Sequence, residues 1–299
     1  GSMYTFTLFV VPYREQFGLS AAAAALPGSV ATGVMLASGP AVGKLVERCG
    51  SRSSLFGLAC ANVLGLYIVS VADTHAALSA PPLSAPIGCY RLFELSCGVG
   101  VGRIAGHLLA GLGMAVAPAS VATVQQHFDR LRALASGLAL AGSGAGQFVL
   151  AQLIGATMPD GSSSGVGGSE SWRDAAQALC VTGAVLLLPS SLLLQARRLP
   201  KGPDAPTAGG NAMALARQPA LACVFGATGL GSFGMYVPFI FLGPFLEESV
   251  ALSSSETSWI VSAMGLCNIA GRVALGAAAD RLGRRKILKV SLLVMVASS

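Results

Sequence analysis

The chain has 299 residues, of which 11% are charged and 53% hydrophobic, with a net charge of +6 and a mean hydropathy of +0.68. A soluble domain carries about 25% charge, so too little polar surface remains here to cover a water-soluble body. The positive balance does not point to nucleic acid either, because the bases sit in short loops between apolar runs and form no stripe interleaved with aromatics.

Residues 3–13 open the chain as an apolar stretch too short to cross a bilayer core, which needs about 20 residues. Complete spans follow at 23–43, 54–73, 104–126, 134–156, 175–195, 219–243 and 257–277, and a ninth begins at 288. Proline and serine at 80–86 interrupt the region 74–103. It reads as an external loop with a short re-entrant or interfacial helix, or equally as a mistranslated insertion. With these spans, 14 of the 19 Lys and Arg residues fall on one side. The positive-inside rule puts that side in the cytoplasm. The expected host is the plasma membrane or an organellar membrane.

Three local features have a physical reading. Ser253 followed by Glu256 is a capping box for the span that starts there, and Asp129 is placed to cap the span at 134–156. Gly142 and Gly146 lie four apart on one helix face, the spacing that lets membrane helices approach closely. Pro118 is expected to kink the span at 104–126.

Residues 12–52 resemble residues 244–285 in outline, and each copy ends in a charged turn. The first turn holds Gly43, Glu47, Arg48 and Gly50; the second holds Gly276, Asp280, Arg281, Gly283, Arg284 and Arg285, 233 residues later. Repeated six-helix halves are a transporter architecture. The expected division is a first half at 1–195, an inter-half loop at 196–218, and the start of a second half at 219–299. In the second turn Asp280 suits the N-terminus of a facing helix, whose unpaired N–H groups attract a carboxylate. The receiver is expected at the span beginning near 129–134.

Arg272 is a lone charge inside the apolar run at 258–277. An unpaired charge at that depth costs roughly 2.5–3.5 kcal/mol on insertion scales, so it is expected to face a polar cavity or a ligand. Guanidinium matches a carboxylate bidentately, and Asn268 lies one turn away on the same face. Tyr4, Phe233 and Tyr236 occupy early positions of the two half-repeats and are candidates to line the cavity. The cysteines and histidines show no metal spacing, and no catalytic triad or paired intramembrane acids point to an enzyme. No cofactor is expected beyond a coupling proton. The expected partners are a small organic carboxylate and membrane lipid; an accessory subunit stays open.

The second charged turn is similar, at all its fixed positions, to the signature loop of the major facilitator superfamily. In the first, Glu47 and Ser51 depart from the pattern. Beyond that, the stretch HFDRLRALASGLALAGSGAGQFVLAQLIG at 127–155, Ser171-Trp172-Arg173, SFGMYVPFIFLGP at 232–244 and ETSWI at 256–260 resemble the monocarboxylate transporter family. The resemblance implies an all-α polytopic fold of six plus six helices. On that fold this chain lacks the start of helix 1 and everything after part of helix 9, and residues 1–299 alone are expected not to transport. It further implies alternating-access transport of small carboxylates, often with protons. The family pairs an Asp with the Arg four residues on in helix 8, and here Asn268 stands at the Asp position. Leu8 replaces a Lys found in lactate carriers. Both departures favour a second reading, a transport-inactive membrane sensor or accessory protein of carrier fold.

Overall fold

A computed structural model describes residues 2–71, 101–128, 130–158, 171–194 and 239–298, together with 218, 219, 223, 226, 236 and 237. The secondary structure of the described residues is helical. The elements are α1 (Thr7–Phe17), α2 (Ala21–Ala37), α3 (Gly39–Cys49), α4 (Ser51–Val71), α5 (Val101–Met114), α6 (Val116–Gln125), α7 (Arg132–Thr157), α8 (Ser171–Leu193), α9 (Ser254–Leu282) and α10 (Arg284–Ser298). Five described helical segments are long and apolar enough to cross a membrane, at 51–71, 102–125, 132–157, 172–193 and 254–282, and α2 with α3 makes a sixth if the bent pair counts as one.

Beside an apolar core around α1, burial does not sort side chains by polarity as in a soluble protein. Leu138, Val185 and Leu193 are large apolar side chains at least 60% exposed, while Gln147 and Ser262 are fully buried. Lipid tails cover apolar surface without cost, whereas a polar group in lipid needs a protein partner. Gln147 Nε2 accordingly donates to the carbonyl of Val261 at 3.1 Å, and Asn62 Nδ2 to that of Ala110 at 3.1 Å.

The kinks have local causes. Helices α5 and α6 break at Ala115, three residues before Pro118, within the span 102–125. A proline lacks the N–H that would bond the carbonyl four residues back, and its ring crowds that carbonyl. The bend of 51° between α2 and α3 has the same origin, with Pro40 just after the break. The region 74–103 falls mostly outside the described residues. Its end does not: Arg103 belongs to α5, so that helix starts earlier than the expected 104.

The repeat is visible in the backbone itself. Ser20 caps α2 at φ −66°, ψ 156°, and Ser253 caps α9 at φ −67°, ψ 156°. Gly18 and Ala251 share a left-handed φ of 60° and 58°, and Gly50 and Gly283 one of 82° and 97°. Each pair is 233 residues apart. The copies part at one place. Pro40 breaks the first, whereas Val273 lets α9 run unbroken through Arg272 for 29 residues.

The most extensive helix contact joins α7 to α9. A Cβ on Gly144 would stand 2.6 Å from the carbonyl oxygen of Gly265, and one on Gly276 would stand 2.9 Å from that of Ala133. Small residues therefore set the separation. Gly142 does not take part in this contact, because a Cβ there would meet nothing within 4 Å.

Candidate functional site

Arg272 stands 18 residues into α9, about 27 Å from its start at 1.5 Å per residue. Its Nε donates to Asn268 Oδ1 one turn back, and its Nη2 donates to the hydroxyl of Tyr4 at 3.4 Å. Tyr4 lies just before α1, so the contact joins the first described segment to α9. The Tyr4 ring meets Phe239 edge-on with centroids 4.7 Å apart. Tyr236, half-buried, lies near both Tyr4 and Arg272. The structure thus gathers Arg272, Asn268, Tyr4 and Tyr236. Phe233 lies outside the described residues. Leu8, at the position of the lactate-carrier Lys, is buried in the apolar core around α1.

Guanidinium has five N–H donors in a planar fork. Asn268 and Tyr4 occupy two of them and supply no negative charge. With Nε engaged by Asn268, a planar anionic acceptor would approach the guanidinium end-on, at the two Nη groups. Phe239 was not singled out from sequence. The signal was present in its place in the run VPFIFLGPF, but nothing there distinguishes a cavity aromatic from a lipid-facing one.

The charged turn that ends α9 holds the second cluster. Asp280, with its side chain 5% exposed, accepts from the backbone N–H of Ala133 at 3.2 Å and from that of Leu134 at 2.8 Å. Those two N–H groups belong to the first turn of α7 and have no intrahelical partner. Asp129 is outside the described residues. The N-cap position is Leu131, which makes no side-chain cap, so the carboxylate at the start of α7 comes from Asp280 instead. Arg284 Nη2 approaches Asp280 at 3.8 Å, while Arg281 and Arg285 are exposed. In the first copy Glu47 and Arg48 are exposed, Glu47 has no hydrogen bond or ion pair with another described residue, and Gly43 touches no neighbour. The first copy packs through Val42 and Val46 against Val116 and Ala119, and among the described residues only the second docks its carboxylate on a helix start.

Far from Asp280, beyond the other end of α9, Arg14 of α1 pairs with Glu248 on a π-helical turn, Phe245–Ser249. Nearby, Trp172 Nε1 donates to Gln16, and the Arg103 guanidinium lies 3.9 Å above the Phe17 ring. Arg103 is 1% exposed, whereas from sequence alone it falls at the end of the 74–103 connection with no role assigned.

Long apolar helices, buried polar cross-links and a cation held at mid-helix define a multi-pass membrane protein of transporter fold. The sequence profile of the Major Facilitator Superfamily matches residues 1–296, and the chain belongs to that superfamily. It is 28% identical over 251 residues to Monocarboxylate transporter 12 of Xenopus laevis, covering 67% of this chain and 51% of that protein. Monocarboxylate transporter 11 of Mus musculus is 27% identical over 288 residues, 94% of this chain and 56% of that protein. An MFS-type transporter of Gibberella moniliformis is 27% identical over 254 residues, 84% of this chain and 52% of that protein. The chain spans about half the length of these three relatives. No solved structure matches it.

Proposed function

We propose that this chain belongs to a secondary carrier of small organic anions, monocarboxylates foremost, which works by alternating access. The observation that carries the reading is Arg272, a charge at mid-helix whose two described polar partners are neutral. The names of the relatives from frog and mouse favour the same solute class. In this reading residues 1–195 and 219–299 belong to two halves joined by 196–218. The α7–α9 contact is then a seam between halves, and the basic loops face the cytoplasm. The plasma membrane is the proposed site of action, and no catalytic step is assigned.

A second reading is a carrier-like sensor or accessory protein without transport. Asn268 at the family's Asp position is the observation in its favour. Uptake of labelled carboxylates by cells expressing the native polypeptide separates the two. The carrier reading expects saturable uptake that Arg272→Gln abolishes while surface expression stays normal. Undiminished affinity in that variant would remove Arg272 from the site, and absence of uptake for every carboxylate tried would favour the sensor.

A further inference from the structure

The environment of Arg272 bears on what crosses the membrane with the anion. Asn268 holds Nε from one turn away, and an amide side chain, unlike a carboxyl, neither gains nor loses a proton in the working pH range. Guanidinium stays charged at any pH a protein meets. The chain around this pair carries no acid for a long way. On α9 itself the nearest acids are Asp280, 8 residues or about 12 Å on, and Glu256, 16 residues or about 24 Å back. Asp280 is already engaged by the start of α7, and Glu256 closes the capping box with Ser253.

Among the described residues, the elements packed against α9 bring no acid beside Arg272. The charged residue of α7 is Arg132, in its first turn. From α1 the facing titratable group is Tyr4, and the charges of α1, Arg14 and Glu15, lie near its far end. Residues 218–246 contain no charged side chain, and Tyr236 is their titratable group near Arg272. The acids of the π-helical turn are Glu247 and Glu248, and Glu248 pairs with Arg14. The α10 charges are the bases Arg284, Arg285, Lys286 and Lys289, in its first two turns. His107 faces Phe6, which packs on α2 at Gly28.

We propose that the Asn268–Arg272 pair makes this a site for one carboxylate carried as its anion, with no proton accompanying it. This rests on the carrier reading above and specifies its ion coupling. The empty site carries a single positive charge, and one carboxylate neutralises it. A dicarboxylate brings a second charge with no described partner, which the low-dielectric surroundings penalise. The loaded site is neutral with no proton bound, so each turnover moves one negative charge and responds to membrane potential. Asn268 is a positioning residue: it fixes the guanidinium without cancelling its charge.

The test uses the native polypeptide in proteoliposomes, with the potential clamped by a potassium gradient and valinomycin. The probes are labelled pyruvate and labelled phenylglyoxylate, 2-oxo acids ionised strongly enough that leakage of the neutral acid is small. The proposal expects about tenfold accumulation at an inside-positive potential of about 60 mV, the same at acid and alkaline pH, and lost in Arg272→Gln. Asn268→Asp preserves shape and the bond to Nε but adds a carboxylate. In that variant uptake should become acid-stimulated and lose its response to potential. Arg272-dependent uptake that ignores potential and follows an acid exterior overturns the proposal and leaves the carrier reading intact. An Asn268→Asp variant that behaves as wild type overturns the role of Asn268. Uptake of both probes that is indifferent to Arg272 removes Arg272 from the site and overturns this proposal alone, whereas no uptake of either probe overturns the carrier reading and this one with it.

Discussion

Asp280 Oδ2 accepts a 2.8 Å hydrogen bond from the backbone N–H of Leu134, across 146 residues of sequence. A carboxylate at the positive end of a helix is stabilising, by up to about 2 kcal/mol where the geometry is partly buried. Asp280 is 5% exposed and engages a second N–H, that of Ala133.

Asp280→Ala is therefore expected to lower stability by about 1–2 kcal/mol, in the range of lost helix caps. Asp280→Asn keeps an acceptor and should fall in between. Denaturant unfolding in detergent measures both. The matching change Glu47→Ala should cost under about 0.5 kcal/mol, because Glu47 is exposed with no described partner. Equal losses at the two positions would contradict the difference between the copies.

Two glycines of α7 make a sharper comparison. A Cβ on Gly144 runs into the backbone of Gly265, which cannot yield without parting the helices. Gly144→Ala should cost about 1–3 kcal/mol, as overpacking does. Gly142→Ala meets open space and should be neutral, or stabilising by about 0.5–1 kcal/mol from helix propensity. Unfolding of the two variants side by side decides whether α7 faces α9 as described.

Ala251 sits in the left-handed region at φ 58°, where its repeat partner is Gly18 at φ 60°. An L-residue pays about 1–2 kcal/mol there and glycine does not. Ala251→Gly is expected to stabilise the protein by about 1 kcal/mol, and Gly18→Ala to destabilise it by a similar amount. A destabilising Ala251→Gly would show that the backbone at 251 is not left-handed.

These residues also mark what could be read from sequence. A charge in an apolar run is conspicuous, so Arg272 and Asp280 stood out, and the partner of Asp280 followed from the need of a helix N-terminus for an acceptor. The repeat was legible because glycine, serine and charge recur 233 residues apart. Which glycine of α7 meets α9 was not legible. Gly142 has the textual spacing of a contact with Gly146, but the rotation of α7 about its axis leaves Gly142 in open space and turns Gly137 and Gly144 toward α9. That rotation is set jointly by Gln147, Gln152 and Ser262, whose hydrogen bonds cross between the helices. The burial of Arg103 was not legible for a different reason. Its burial under Phe17 and Trp172 depends on three segments meeting at one end of the bundle, and no local pattern encodes that.

The measurement closest to the central claim is equilibrium binding of labelled phenylglyoxylate to the native polypeptide in nanodiscs, compared with Arg272→Gln and Arg272→Lys. The account predicts that Arg272→Gln loses saturable binding, at least a hundredfold in affinity, since a charge-assisted bidentate contact worth about 3 kcal/mol disappears. Arg272→Lys should keep part of it, because the charge remains and the planar fork does not. Equal affinity in all three proteins would contradict an anion site at Arg272.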